Sequence, residues 1–136
     1  MSNVGIVGLY PHEESWTSFL TLRKCFDSIL AEKNITPTNL FSIGIGLSKM
    51  VQMYANVSEI PFKAYTPSAR LLSSGIAVIR RNYDFCSALD HLFVIGESNH
   101  ILDSIAEIAN LKNIPVYSYL QLIRTEPSNS SSTDNI

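Results

Sequence analysis

The stretch 91-HLFVIGESNHILDSIAEIANLKNIPVYSY-119 decides how the rest of the chain is read. Leu92 to Gly96 (LFVIG) is a continuous apolar run, the pattern of a strand buried on both faces. Gly96 punctuates its end. From His100 to Leu111, Ile101, Ile105 and Ile108 fall on one helical stripe, with Leu102, Ala106 and Ala109 beside it. Pro115 to Tyr119 (PVYSY) then reads as another strand. Strand, helix and strand in that order form a βαβ unit, whose two strands run parallel.

The same alternation extends toward the N-terminus. Val4 to Leu9 (VGIVGL) is a short β-branched run that ends in the turn signal Gly8-Leu9-Tyr10-Pro11. Trp16, Phe19, Leu20, Phe26, Ile29 and Leu30 recur at helical spacing between about Glu14 and Lys33, with Ser15 or a nearby acid as cap and Pro37 as stop. Leu40 to Ile45 is a second strand and Leu47 to Ala55 a second helix, separated by Gly44 and Gly46. Ile60 to Tyr65 is a third strand, and helix covers roughly Ser68 to Leu89. The prediction is an α/β fold: an open parallel sheet of about five strands with helices on both faces. The domain is placed at residues 1–122. Residues 123–136, mostly Ser, Asn, Thr and Asp from Glu126 on, are expected to be a disordered polar tail.

Composition narrows the function classes. At 136 residues, 46% apolar and 16% charged, the chain is long and apolar enough to bury a core. No apolar run approaches the roughly 18 residues of a membrane span, and no basic region precedes the first apolar run as in a signal peptide. Cys25 and Cys86 lack CxxC spacing and read as two buried thiols of a cytoplasmic protein. A net charge of −2 and a pI near 5.9 argue against a duplex-DNA partner. There is no GxGxxG after the first strand, no GxxxxGK[ST] and no GxSxG. His12, His91 and His100 share no metal-ligand spacing, so neither a metal nor a cofactor is expected.

In open parallel sheets, ligands bind at the carboxyl ends of the strands, near the point where strand order reverses. Gly8, Gly44, Gly46 and Gly96 each stand at such an end. Small residues there admit an anion to backbone amides and helix N-termini, and four together suggest a nucleotide-sized crevice. Ser48 and Lys49 begin the helix after Gly46 and offer phosphate donors. Tyr10 is placed to line a base, and Glu97, Ser98 and Asn99 keep polar groups after LFVIG.

Ser74-Gly75, Arg81-Asn82 and Asp90 ahead of LFVIG resemble the AGxxRN…DxxxxF signature of the SLOG superfamily of Rossmann-like nucleotide-binding domains, with the YspA-like small proteins nearest. DNA-processing proteins and cytokinin-activating phosphoribohydrolases share that superfamily. The likeness covers about residues 3–120 and implies a Rossmann-like sheet. It also implies that Arg81 and Asn82 lie at a helix start facing the crevice, the arginine meeting a phosphate or ribose. The competing assignment has the arginines capping a helix C-terminus or pairing with Glu97 and Asp84. Enzymatic relatives carry a GT-x-x-E element whose glutamate acts on the ribose. Its positions fall here on Ile101, Leu102 and Ile105, and isoleucine offers no nucleophile. Glu97 or Asp103 would have to replace it.

Three readings result. The chain binds a nucleotide-derived small molecule without turning it over; or it cleaves or transfers an N-glycosidic bond through Glu97 or Asp103; or it keeps the fold as an interaction scaffold. Its low charge favours a homo-oligomer in all three, through exposed apolar residues such as Trp16, Phe62 or Phe85.

Overall fold

Alternation along each strand decides which helices it meets. A computed structural model describes residues 2–8, 19–68, 75–97 and 99–119 of the chain. Strands β1 (Asn3–Gly8), β2 (Asn39–Ser42), β3 (Phe62–Ala64), β4 (His91–Ile95) and β5 (Val116–Tyr119) alternate with helices α1 (Phe19–Glu32), α2 (Ser48–Val57), α3 (Ile76–Ser87) and α4 (His100–Leu111). All strand pairs are parallel, in the order β3-β2-β1-β4-β5. This is the α/β, Rossmann-like open sheet expected from the sequence. Strand order reverses between β1 and β4.

On one face Val4, Ile6, Leu40, Phe93 and Ile95 meet Phe26 and Ile29 of α1 and Val51 and Tyr54 of α2. On the other, Val7, Leu92 and Val94 meet Phe85 and Cys86 of α3 and Leu102, Ile105 and Ile108 of α4. The two residue sets alternate, because successive side chains of a strand point to opposite faces. Gly5 marks where α3 crosses the sheet: a Cβ there would lie 2.6 Å from Leu89 Cδ1 and 2.8 Å from Phe85 Cζ. Glycine at this position lets the helix lie directly on β1.

Several boundaries differ from the expected ones. β2 stops at Ser42 rather than Ile45, because Gly44 takes φ +83°, off the extended path. β3 is shorter than Ile60–Tyr65, and α2 runs two residues past Ala55. Within Ser68–Leu89 the helix is Ile76–Ser87, and residues 69–74 lie outside the described residues. Arg81 and Asn82 therefore sit in the middle of α3, not at its start, and both are buried. Phe85, expected on an exposed oligomer face, is fully buried against Gly5, and Phe62 is half-buried on the core. Trp16, Ser15 and the C-terminal tail lie outside the described residues. Among the described residues no helix is long and apolar enough to cross a membrane.

Candidate functional site

The carboxyl ends of β1, β2 and β4 converge at the switch point, and backbone contacts fix how closely. The Leu47 amide donates to the Gly8 carbonyl (3.0 Å), drawing the β2–α2 loop over the end of β1. A Cβ on Gly8 would stand 2.4 Å from the Ile95 carbonyl oxygen and 2.7 Å from Leu47 Cδ1. Only glycine lets β1, β4 and that loop meet so closely. Gly44 and Gly46 take φ +83° and +60°, turning the chain into α2, and a Cβ on Gly44 would press on Thr66 Cγ2 at 2.6 Å.

Helix α2 starts without a side-chain cap: Leu47 stands at the N-cap. The Ser48 amide turns back to the Ile45 carbonyl (3.1 Å), which leaves the Lys49 and Met50 amides of the first turn without a backbone acceptor among the described residues. Ser48 is buried, and its Oγ accepts from the Gly44 amide at 3.1 Å, leaving the hydroxyl proton to donate. Lys49 is exposed one residue further on.

Arg81 is buried against the ends of β2 and β3. Its Nη1 donates to the Ile43 carbonyl (2.9 Å) and, more weakly, to the Tyr65 carbonyl (3.5 Å), while Nε donates to Asn82 Oδ1 (2.8 Å). These carbonyls directly follow two strands, where sheet pairing has ended, so the guanidinium satisfies groups that have left the ladder. Burial lowers the Arg81 pKa from its ordinary value. The second terminal nitrogen, Nη2, has no hydrogen-bond partner among the described residues. Arg80, its neighbour, is exposed. The acceptors Ile43 and Tyr65 were not legible in advance, since backbone carbonyls carry no sequence signal.

After β4, Gly96 takes φ +109°, and its amide donates to the Tyr119 carbonyl at 2.7 Å, extending the β4–β5 edge. Asn99 caps α4, its Oδ1 accepting from the amides of Ile101 (2.9 Å) and Leu102 (3.0 Å). Its Nδ2 is buried with no hydrogen-bond partner among the described residues. An orphaned buried donor costs on the order of 1–3 kcal/mol. Glu97 and Asp103 are exposed, Asp103 in the first turn of α4. Ile105, onto which the sequence resemblance would map a ribose-directed glutamate, is fully buried between α4 and the sheet. Tyr10 and Ser98 lie outside the described residues.

The structure thus brings Gly8, Gly44, Gly46 and Ser48 together around one loop, and sets Gly96 and Asn99 across the switch point from them. Arg81 and Asn82 stand behind the loop. A second concavity, unsignalled in the sequence, lies at the amino ends of β2 and β3, with a volume near 670 Å³ and a lining that includes Arg23, Asp27, Leu30, Tyr54 and Ile60. There the Tyr54 hydroxyl donates to Asp27 Oδ1, and burial and then the Asp27 bond push its pKa well above the usual tyrosine value.

No family model matches the chain, and no curated protein matches it by sequence. One solved structure does match in shape: the X-ray structure of TM1055, a structural genomics target, superposes with a TM-score of 0.59 at 20% sequence identity. The match covers 85% of this chain and 72% of that one, and what the two share is the fold.

Proposed function

We propose that the protein binds a phosphate-bearing, nucleotide-derived small molecule at the carboxyl ends of β1, β2 and β4 and does not turn it over. The observation that carries this reading is Asn99, whose amide nitrogen is buried without a partner beside the N-terminus of α4. A ligand oxygen would satisfy it. The uncapped start of α2 faces the same switch point and offers amides, the Ser48 hydroxyl and Lys49 to a phosphate. Nη2 of Arg81 is the remaining donor for the same group. The SLOG likeness supports a nucleotide over other phosphates. Against turnover stands Ile105, apolar and enclosed where relatives place a carboxylate.

The test is a thermal-shift series with nucleoside mono- and diphosphates, cyclic nucleotides and ADP-ribose, followed by recovery of the ligand. A compound at about 100 times its Kd adds roughly 2.7 kcal/mol to stability. Stabilisation with the nucleotide recovered intact is expected. Recovery of free base plus sugar would transfer the reading to an N-glycosidic enzyme using Glu97 or Asp103, and Glu97→Gln and Asp103→Asn would show which. No stabilisation by any compound would leave the fold as a scaffold.

A further inference from the structure

Helix α3 packs Ala77, Arg81, Asn82, Phe85 and Cys86 inward, and at 100° per residue its outer face centres on Arg80 and Tyr83, with Ile79 on one flank and Asp84 on the other. The outer ridge of a solvated helix is normally polar. Here Ile79 is 59% exposed and Tyr83 45%. Leu111, at the end of the neighbouring α4, is 74% exposed, and Lys112 lies over the Tyr83 ring at 5.9 Å. The apolar strip therefore runs from α3 onto the end of α4.

The charges beside the strip say what covers it. Arg80 and Asp84 lie four residues apart, toward the flank of α3 away from α4, and neither has an ion-pair partner among the described residues. Ile79 and Tyr83 are also four apart. The midpoints of the two pairs differ by one residue, about 1.5 Å along the axis. A two-fold axis perpendicular to the helix reverses direction but keeps each flank beside its own copy. Around one such axis, Ile79 meets Tyr83 of the partner subunit while Arg80 meets Asp84 of the partner subunit, each contact occurring twice. A parallel two-fold would put the charged flanks on opposite sides and waste them.

We infer that α3 is the centre of a homodimer interface, packed antiparallel against α3 of a second copy, with Leu111 at its rim. The surface is self-complementary in both shape and charge, as an isologous interface requires. This inference is independent of any ligand.

Sedimentation velocity on the full chain, from low to high micromolar concentration, tests it. The native chain is expected to dimerise, and Ile79→Glu to remain monomeric where the native chain is dimeric. Arg80→Glu and Asp84→Arg each set like charges across the axis and weaken association about tenfold, and the double reversal restores it. All three positions are exposed, so circular dichroism serves to confirm that the variants fold. A native chain monomeric throughout overturns the inference. So does a dimer indifferent to Ile79→Glu, or a double reversal no better than the singles, which would point to another face or another partner.

Discussion

The two helix N-termini at the switch point solve the same problem in opposite ways. Helix α2 begins with Leu47, which caps nothing, yet the loop before it is internally satisfied: Gly44 bonds Ser48, Leu47 bonds Gly8, and Arg81 holds the Ile43 carbonyl. Helix α4 begins with a strong cap in Asn99, and the same side chain leaves a buried donor unmet. At α2 the Leu47 and Ser48 amides are held by the Gly8 and Ile45 carbonyls and the next two stay open; at α4 the cap closes the Ile101 and Leu102 amides and keeps a single polar group in reserve. On the proposed reading, the β2–α2 loop is a preformed cradle and Asn99 a donor held back for what would occupy it.

Breaking the cradle should have the largest effect. Arg81→Met removes the donor to the Ile43 and Tyr65 carbonyls and leaves Asn82 Oδ1 buried without its partner. A loss of about 3 kcal/mol or more is expected in urea unfolding, in the absence of any ligand. Were Arg81 purely a phosphate-binding residue, the variant would unfold like the native chain and lose only affinity. Gly8→Ala comes next. Its Cβ would lie 2.4 Å from a backbone oxygen held in the β1–β4 ladder, so it cannot be relieved by a rotamer change. About 2–3 kcal/mol of destabilisation is expected, against near-neutrality if the β1–β4 junction were loose.

Sharpening the comparison requires separating the cap from the reserve donor. Asn99→Ala loses both and should cost about 1 kcal/mol. Asn99→Asp keeps an oxygen for the Ile101 and Leu102 amides and places negative charge at a helix N-terminus, so stability should change little. It replaces the free Nδ2 by an oxygen, and affinity for a phosphate-bearing ligand should fall at least about tenfold. Equal affinity in Asn99→Asp and the native chain would show that Nδ2 never meets the ligand.

How much of this was legible beforehand follows from how each feature is encoded. The sheet, its parallel sense and the placement of α4 were visible because burial on two faces writes continuous apolar runs and helical stripes. The glycines at strand ends were visible for the same local reason. Arg81 was singled out but wrongly placed on its helix: sequence marks an unusual residue, while its acceptors are carbonyls contributed by Ile43 and Tyr65, distant in the chain. The orphaned Asn99 nitrogen was equally hidden, because cap and donor are one residue and only three-dimensional burial tells their fates apart. Phe85 looked like a candidate for an exposed face until Gly5 opened a slot for it.

The smallest effect concerns how α3, which carries Arg81, is joined to α4. Cys86 on α3 is fully buried, with its Sγ 3.5 Å from the Ile105 carbonyl of α4. Burial pushes this thiol from its ordinary 9.0 up to about 11, with Lys112 pulling slightly the other way. The folded form therefore resists ionisation that the unfolded chain accepts. The stability Cys86 contributes is fully present below about pH 9 and drains away as pH rises toward 11, because the unfolded state releases its proton first. By pH 9.5 the loss should be a little under 1 kcal/mol. Thermal unfolding of the native chain and of Cys86→Ala between pH 7.5 and 9.5 separates this from the tyrosines, which titrate in both proteins. The native chain should lose more stability over that interval than the variant. Parallel curves would mean that the thiol reaches water and that α3 and α4 part more readily than their packing implies, which would loosen the support behind Arg81 as well.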